Sequence, residues 1–556
     1  MLLAKFAGID TGDDQLRRFE LLAQRCHGHA LSLSVAGAYL ATRATPEESV
    51  LRLVDRGPLD LSVGDVSVAP ALNASYDELG PIAMRLYRLL PLHPGPEFTV
   101  EPVAEGLNEP VDVTTQAVSE LLDANLITEI QYGRFRQHDL LREHARARAE
   151  ELDPQPERNG ALYRMCEWYG KKAAAADLAI NPRPRRFSWV YLDVYDMQFP
   201  DRRDALEWFT REWANVLEAQ RSAAGQDGWD ELVFLLAETV WNGLRSLSAW
   251  DELAESQRLG AEAARRRSHV LESVCLSRLG FAETALGNDT AAEEACTQAV
   301  RRASELGDWW AEAAALSTRA RARTARGECH GALADLERAV RLDEELGDRR
   351  SIALRHRRIG EIYCRPKMAD FDRAIRHLRL AKDVMREVDD EIGLARAVTY
   401  LAKAHLGAGQ WGTAVCEMGA VIDVLRSFGA PAYLVDVYAI LGEARARLGH
   451  VAQARACFTE AIELGEAAGL HRSAALERAR CYAMSWITAT AGRRTPSDRT
   501  SRLDERDQYS GAALIAANEQ ILPTRPEHSN REGHDGHTQG RERPPTHREA
   551  SAIDRP

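Results

Sequence analysis

Apolar residues recur at helical spacing along most of this chain, and from Gly280 to Gly469 the pattern itself repeats every 40 residues with one slip of two. Each repeat contains two apolar-periodic segments joined by a short turn, a spacing typical of helices rather than strands. Small residues form one column: Gly280, Ala320, Gly360, Ala402 and Gly442. Larger apolar residues form another: Cys296, Leu336, Leu378, Met418 and Phe458. We therefore predict helix pairs that approach closely at the small column, with the larger side chains filling the groove beside it.

Turn residues recur at two places in each repeat, between the two helices and after the second helix. The turn inside the pair falls at Gly287, Gly327, Ala369, Gly409 and Gly449. The break that closes each pair falls at Gly307, Gly347, Asp389, Gly429 and Gly469. Glycine allows the left-handed backbone that ends a helix, and the two extra residues lie at such a turn, near Pro366. Because one pair cannot bury its apolar stripe alone, the pairs are expected to stack into a solenoid with a concave face.

This repeat resembles the tetratricopeptide repeat in its Leu-Gly pair and in its Ala-x3-Phe-x2-Ala run. The pair occurs at Leu279-Gly280 and Leu441-Gly442, and the run comprises Ala454, Phe458 and Ala461. The resemblance implies a right-handed superhelix of helix pairs. A degenerate earlier repeat is expected at 230–267, with its turn at Trp250-Asp251. The run from Arg183 to Arg186 lies among prolines and is predicted to be a linker.

The region before the repeats has a different pattern. Helical spacing runs from Ala71 to Leu90 and recurs at Val100–Gly106 and Val113–Ala124. Two strand-like segments follow, joined at Tyr132-Gly133: Leu126–Ile130 and Arg134–Gln137. Three helices followed by a β-hairpin predict a winged helix. The stretch at 113–124 would be its recognition helix, but it carries Glu120 and Asp123 and no Lys or Arg, so we expect no direct DNA binding.

Several strings in this region and beyond resemble those of NB-ARC regulators of the STAND type from actinobacteria. Cys26–Leu33 resembles the "GLPL" segment, and the string around His93-Pro94-Gly95 resembles the entry to the winged helix. Phe135–Leu141 matches the "MHD" motif with Gln137 in place of methionine. The segment at 204–208, with Glu212 and Asn215, resembles the helices that precede the repeats. The resemblance covers roughly residues 1 to 490.

The resemblance implies ADP or ATP binding in complete family members, with the histidine equivalent to His138 on the β-phosphate. Such proteins bind nucleotide through a P-loop, and no Gly-x4-Gly-Lys-Ser/Thr string occurs in this sequence. We therefore expect no cofactor. The alternative for His138 is a capping or packing role, with Asp139 at the start of the next helix. We expect the chain to be the C-terminal part of such a regulator, and a separate nucleotide-binding subunit is a candidate partner.

Candidate binding residues come from the repeat register. Inward positions are predicted at Ser277, Phe281, Arg321, Thr324, Arg357, Glu361, Thr399, Lys403 and Glu443. Arg321, Arg357 and Lys403 are the residues expected to grip an acidic peptide or a carboxylate, because guanidinium groups bind carboxylates in a bidentate manner. The alternative is a solvated groove of mixed charge, which Glu361 and Glu443 favour.

Composition argues against several further classes of protein. The net charge of −13 argues against general nucleic-acid binding, and no apolar run is long enough for a membrane span. Nine cysteines without a Cys-x-x-Cys pair indicate reduced thiols and a cytoplasmic protein. The tail holds four spaced histidines whose spacing fits no tight metal site: His528, His534, His537 and His547. No catalytic constellation is found, so we expect neither an enzyme nor a metal protein.

Together these patterns predict a mainly α protein with five parts. They are a helical subdomain (1–70), a winged helix (71–152), a helical connector (153–229), tetratricopeptide-like repeats forming an α-solenoid (230–492) and a disordered C-terminal tail (493–556). The predicted function is the sensor or scaffold portion of a bacterial NB-ARC-type signalling or transcriptional regulator, whose repeats bind a protein or ligand. The alternative is a stand-alone adaptor that binds acidic peptides through its repeats.

Overall fold

The structure, a computed structural model, describes residues 62–63, 66–182, 185–419, 421–427, 431–467, 479 and 481. Within these ranges the chain is mainly helical, as the apolar spacing predicts. Most of the predicted helical subdomain (1–70) lies outside the described residues, and so does the predicted tail (493–556). The string from Cys26 to Leu33 and the four tail histidines also lie outside them.

A module of helices and short strands precedes the connector. Its strands are β1 (Ser62–Val63), β2 (Val66–Ser67), β3 (Glu97–Phe98), β4 (Thr128–Gln131) and β5 (Arg134–Arg136). Its helices are α1 (Val68–Asp77), α2 (Pro81–Leu89), α3 (Val100–Leu107), α4 (Val111–Asp123) and α5 (Asp139–Leu152). Strands β3, β5 and β4 form one antiparallel sheet in that order. The order of elements from α2 to β5 is that of a winged helix.

Local chemistry explains these boundaries. Pro81 occupies the first turn of α2, where a backbone N–H would have no hydrogen-bond partner within the helix, so proline loses nothing there. Asn108 ends α3 in the left-handed conformation, with φ 56°. Gly133 turns β4 into β5 with φ 70°, so the hairpin predicted at this position is confirmed. The spacing analysis did not predict β3, because a strand of two residues has no periodicity to detect.

The connector consists of α6 (Gln155–Ile180) and α7 (Arg202–Ala224), which pack against each other. Asp201 caps α7 by accepting hydrogen bonds from the backbone amides of Arg203 at 2.7 Å and Asp204 at 3.0 Å. Two described residues of the segment between the two helices, Arg186 and Tyr191, contact Asp177 of α6. Arg186 lies in this connecting segment, as predicted, and forms an ion pair of 2.7 Å with the buried Asp177.

The repeat region continues as a series of helices in which each packs against the next. The helices are α8 (Asp230–Thr239), α9 (Trp241–Leu247), α10 (Trp250–Arg266), α11 (Leu271–Leu286), α12 (Asp289–Glu305), α13 (Trp309–Ala325), α14 (Cys329–Glu345), α15 (Arg349–Tyr363), α16 (Phe371–Glu387), α17 (Glu391–Gly407), α18 (Trp411–Met418), α19 (Val421–Ser427), α20 (Pro431–Arg447) and α21 (Val451–Ala467). The early degenerate repeat comprises α8 to α10. Its turn lies at Ser248 and Ala249, two residues before the predicted Trp250-Asp251, which are the first residues of α10.

The repeat register agrees with the packing. A Cβ on Gly360 would lie 2.5 Å from Leu378, and one on Gly442 would lie 2.7 Å from Phe458. The small column and the larger column therefore face each other, as predicted. All five turn positions, Ala369 included, have positive φ, between 34° and 83°. Residues Gly307, Gly347 and Asp389 at the closing breaks have positive φ as well.

Candidate functional site

Side chains on the first helices of successive repeats contact one another at several points, and together they are called the inner surface below. Its members come from α9, α11, α13, α15, α17 and α20. They are Trp241, Arg245, Arg278, Phe281, Arg321, Arg357, Arg358, Glu361, Arg396, Tyr400, Lys403 and Tyr433. Seven of the twelve are cations and one is a carboxylate, so the inner surface is positively charged although the chain has a net charge of −13.

The three residues predicted to bind a partner differ in their availability. Arg321 is exposed and its guanidinium lies 4.4 Å from the centre of the Phe281 ring. Lys403 is half-buried. Arg357 is only 3 % exposed and is already engaged, because it pairs with Glu361 at 3.3 Å and lies over the Tyr400 ring. Arg321 and Lys403 can therefore meet a partner directly, whereas Arg357 holds other groups of the surface in place.

Two other predicted inward positions face the packing between helices. Thr399 is 4 % exposed and its hydroxyl donates to the Ala395 carbonyl of its own helix at 2.8 Å. Ser277 is 8 % exposed and donates to Thr318 at 3.0 Å. These residues stabilise the repeat rather than line the surface.

Arginine–aromatic pairs connect neighbouring repeats along the inner surface. In the first half, Arg278 lies 5.1 Å from the centre of the Trp241 ring in the preceding repeat, and the Arg321–Phe281 pair repeats this arrangement. In the second half the direction reverses, since Arg396 lies 5.0 Å from the centre of the Tyr433 ring in the following repeat. Each such pair is worth about 0.5–1 kcal/mol at an exposed site.

Sequence reasoning missed much of this surface. Arg278, Arg358 and Tyr400 all occupy the position two residues before the small column, so they form a column of their own that the register could have identified. Trp241 and Arg245 belong to the degenerate early repeat, whose first helix is divided between α8 and α9. The register gives no sign of them, because that break removes the periodicity on which it depends.

The pKa values of side chains on the inner surface reflect the positive charge gathered there. Burial, with Arg321 and Arg357 nearby, lowers the pKa of Arg358 well below its ordinary value. Burial, with Arg396 as the next contributor, also lowers the pKa of Arg245. For Glu361 burial alone would raise the pKa, but Arg357, Arg358 and Arg321 outweigh it and lower the pKa. The surface therefore favours a negative charge placed among these arginines.

A second constellation joins the winged-helix module to the connector and is called the joint below. Its members are His93, Gly95, Glu97, Arg134, Tyr169, Glu212 and Asn215. Arg134 donates to Glu97 at 2.7 Å and also pairs with Glu212. Asn215 donates to the Glu97 carbonyl at 3.0 Å and to Glu212 at 2.7 Å. Two strings quoted separately from the sequence, more than 100 residues apart, thus meet in one buried network.

His93 is the buried centre of the joint. Its Nε2 lies 2.9 Å from the Tyr169 hydroxyl, and its Nδ1 lies 3.0 Å from the Gly95 carbonyl. Burial lowers the pKa of His93 to about 4, with smaller contributions from Arg142 and Arg134. The ring is therefore neutral at physiological pH.

His138 lies outside both constellations. It is the N-cap of α5, and its Nδ1 accepts a hydrogen bond of 3.4 Å from the backbone amide of Leu140. This geometry matches the capping alternative, with His138 rather than Asp139 as the capping residue. The nucleotide role implied by resemblance stays a prediction.

Other site types are less well supported in the described part of the chain. A cavity of about 240 Å³ lies between α2, α3 and α6, but its arginines are engaged, as in the ion pair of Arg88 with Asp153. Within the described ranges no group of three or more His, Cys, Asp or Glu side chains is placed to hold a metal ion. Of the helices that the structure describes, none is long and apolar enough to cross a membrane.

The fold and the inner surface define a helical-repeat protein with a winged-helix module joined to its first helices. In an alignment of 488 residues that covers 79 % of this chain, it is 28 % identical to the regulatory protein AfsR of Streptomyces griseus. It is 33 % identical over 204 residues, 35 % of its length, to AfsR of Streptomyces coelicolor. The chain is thus a relative of a regulatory protein over most of its length, as the resemblance to a bacterial regulator implies. That the regulator is of the NB-ARC type stays a prediction.

The aligned part corresponds to 48 % of the Streptomyces griseus protein and 20 % of the Streptomyces coelicolor protein, so the chain spans about half the length of the first relative. No protein-family model matches.

Solved structures align at low similarity. A STAND protein with a tetratricopeptide repeat sensor from Pyrococcus horikoshii covers 83 % of this chain and 73 % of its own, with 15 % identity and a TM-score of 0.35. Aspartyl phosphate phosphatase F from Bacillus subtilis covers 72 % and 95 %, with 14 % identity and a TM-score of 0.38. These TM-scores are too low for the likeness to bear on function.

Proposed function

We propose that this chain is the sensor portion of a bacterial NB-ARC-type regulator. The similarity to the regulatory protein AfsR over 79 % of the chain carries this proposal. In it, the inner surface binds a protein or ligand signal, and the joint transmits the resulting change from the repeats to the winged-helix module. The chain itself acts by binding rather than catalysis, requires no nucleotide and works in the cytoplasm. The joint can transmit this change because a buried polar network holds two elements in one arrangement.

Charge reversal on the inner surface tests the proposal. Arg321→Glu/Lys403→Glu changes two accessible cations and leaves the buried Arg357–Glu361 pair intact. The matched control, Arg301→Glu/Arg386→Glu, makes the same charge change at side chains that are 75 % and 59 % exposed on α12 and α16. In the native host we expect the first variant to alter transcript levels and lose its partner, while the control behaves as wild type. If transcript levels stay unchanged in both variants, the regulator proposal is wrong.

The alternative is a stand-alone adaptor that binds acidic peptides through the inner surface. The positive charge of that surface favours it. An adaptor would lose peptide partners in the Arg321/Lys403 variant without any change in transcripts. A thermal-shift measurement with millimolar ADP tests whether the chain binds nucleotide. We expect no thermal shift, and a shift that disappears in His138→Ala would show that the chain binds nucleotide after all.

A further inference from the structure

The cavity of about 240 Å³ between α2, α3 and α6 lies where the winged-helix module meets the connector. The start of α6 contributes a stripe of residues at helical spacing: Pro156, Glu157, Gly160, Ala161 and Arg164. A cavity of about 150 Å³ holds a benzene ring, and pockets for drug-sized ligands begin at about 300 Å³. The cavity therefore has room for one small organic molecule.

All four arginines of the lining are engaged, but only two of them by carboxylates. Arg85 pairs with Glu109 at 2.8 Å. Arg88 forms a bidentate pair with Asp153, with distances of 2.8 and 3.0 Å. The charge of these two arginines is thus balanced inside the protein.

The other two arginines, Arg158 and Arg164, bind only neutral groups. Arg158 donates to two carbonyls at the end of α5, at 3.2 and 2.5 Å, and to the Gln155 side chain. Arg164 donates to two carbonyls at the end of α3, at 2.9 and 2.6 Å. Within the described part of the chain neither forms an ion pair, and Glu157, the remaining acid of the lining, pairs with neither. The lining therefore carries a positive charge that the protein does not balance.

Capping the end of α3 uses only part of the Arg164 guanidinium. Its Nε and Nη2 donate to the carbonyls, whereas no described residue accepts a hydrogen bond from its Nη1. A Cβ added to Gly160 would lie 3.5 Å from this Nη1, and Gly160 lines the cavity as well. The unused N–H groups of Arg164 are therefore at the cavity wall, where a carboxylate or phosphate oxygen can accept from them.

Much of the remaining wall is apolar. Leu89, Leu107 and Ala161 line the cavity and are buried. Arg85 and Glu157 are exposed, so the cavity opens to solvent on their side. A ligand that brings an apolar group against this wall removes that group from water, which a bare ion cannot do.

We propose that this cavity binds a small organic anion, with one carboxylate or phosphate group held by Arg158 and Arg164 and a short apolar body against Leu89 and Leu107. The guanidinium fork binds carboxylate and phosphate oxygens alike, so both groups belong to the class. The site shares no residue with the inner surface and adds a second binding function to the proposed sensor. Because α2 and α3 belong to the winged-helix module and α6 to the connector, the bound anion holds these two parts together.

Calorimetric titration of the full chain tests this site with four probes. Benzoate and phenyl phosphate combine an apolar ring with an anionic group. Benzyl alcohol lacks the charge, and inorganic phosphate lacks the apolar body. We expect benzoate or phenyl phosphate to bind at least about tenfold more tightly than the other two, because the charge-assisted hydrogen bonds and the apolar contact act together.

Substitutions show whether binding takes place in the cavity. Gly160→Leu should fill the cavity and weaken binding at least about tenfold, whereas Gly160→Ala should bind as wild type, since a Cβ there makes only an ordinary contact. Arg164→Gln should weaken binding by a similar factor. Its matched control, Arg211→Gln, changes an exposed arginine of α7 and should bind as wild type. Circular dichroism shows which variants are folded, and Gly160→Leu keeps the test open if Arg164→Gln is not.

Each result bears on the proposal. If neither benzoate nor phenyl phosphate binds, or if folded Gly160→Leu or Arg164→Gln binds them as wild type, the cavity is not an anion site. Benzyl alcohol binding as tightly as benzoate would overturn the part given to the arginines, and inorganic phosphate binding as tightly as phenyl phosphate would overturn the part given to the apolar wall. The tighter of benzoate and phenyl phosphate identifies the head group. The sensor proposal is tested separately, because Arg321→Glu/Lys403→Glu should bind these probes as wild type.

Discussion

Single residues set how closely the helices of one repeat approach. Gly360 lies on α15, and an added Cβ would lie 2.5 Å from Cγ of Leu378, which is fully buried. Gly412 lies in α18, where an added Cβ would meet nothing within 4 Å. The two helical glycines therefore serve different purposes, although the sequence shows the same residue at both. Gly360 is required by packing, whereas Gly412 only weakens its helix.

We expect Gly360→Ala to destabilise the protein by about 1–3 kcal/mol, because overpacking forces neighbouring side chains to move. Gly412→Ala should instead stabilise it by about 0.5–1 kcal/mol, through lower backbone entropy in the unfolded chain. Urea unfolding followed by circular dichroism measures both. A stabilising Gly360→Ala would show that the small column is not a close-packing column.

At the scale of elements, the helices α15 and α16 meet at a histidine contact that responds to pH. His356 on α15 stacks on His377 on α16, and their Nδ1 atoms are 2.9 Å apart. Burial, with His377 as the second cause, lowers the pKa of His356 to about 4. Burial, with Arg376 nearby, also lowers the pKa of His377. Both rings are neutral at physiological pH, and protonating either would place a charge in a half-buried contact between helices.

This arrangement predicts acid sensitivity. In the unfolded chain these histidines bind protons near their ordinary pKa of about 6.5, so below that pH the unfolded state holds more protons than the folded state. Their contribution to stability is fully present above pH 6.5 and is lost as the pH falls toward about 4. We expect the free energy of unfolding to decline over this window, and less steeply in His356→Gln. Identical slopes for the two proteins would refute this assignment.

At the scale of the whole molecule, the joint ties the winged-helix module to the connector that leads into the repeats. Glu97 belongs to β3, Arg134 to β5 and Glu212 to α7, so three elements share one charged network. Arg136 also contacts Glu97, but its side chain is 51 % exposed, against 14 % for Arg134. Water screens the exposed pair far more than the buried one.

Arg134→Ala should therefore destabilise the winged-helix module by about 3 kcal/mol, because it leaves Glu212 without a cation and Glu97 with only the exposed Arg136 at a partly buried site. Arg136→Ala should change stability by less than about 1 kcal/mol. Calorimetric unfolding tests both, and an additional transition at lower temperature is expected for Arg134→Ala as the module separates from the repeats. Equal effects of the two substitutions would mean that the joint does not couple the parts.

The local architecture could be predicted from the sequence, because it depends on periodicity and on backbone preferences. The 40-residue register located the helix pairs, the turns with positive φ and the contact between Gly360 and Leu378. The β-hairpin around Gly133 followed from a turn signal between two strand-like segments. These features depend on neighbours in the chain, whose spacing is visible in the sequence itself.

Only the tertiary structure showed which distant residues meet. It engaged Arg357 in an ion pair, placed Thr399 within the packing, and set Arg278 over the Trp241 ring of the preceding repeat. It also joined His93 and Asn215 to the same tyrosine, Tyr169. Such meetings depend on how much each repeat rotates relative to the previous one. That rotation is the sum of many small packing adjustments, and no single residue type or spacing records it.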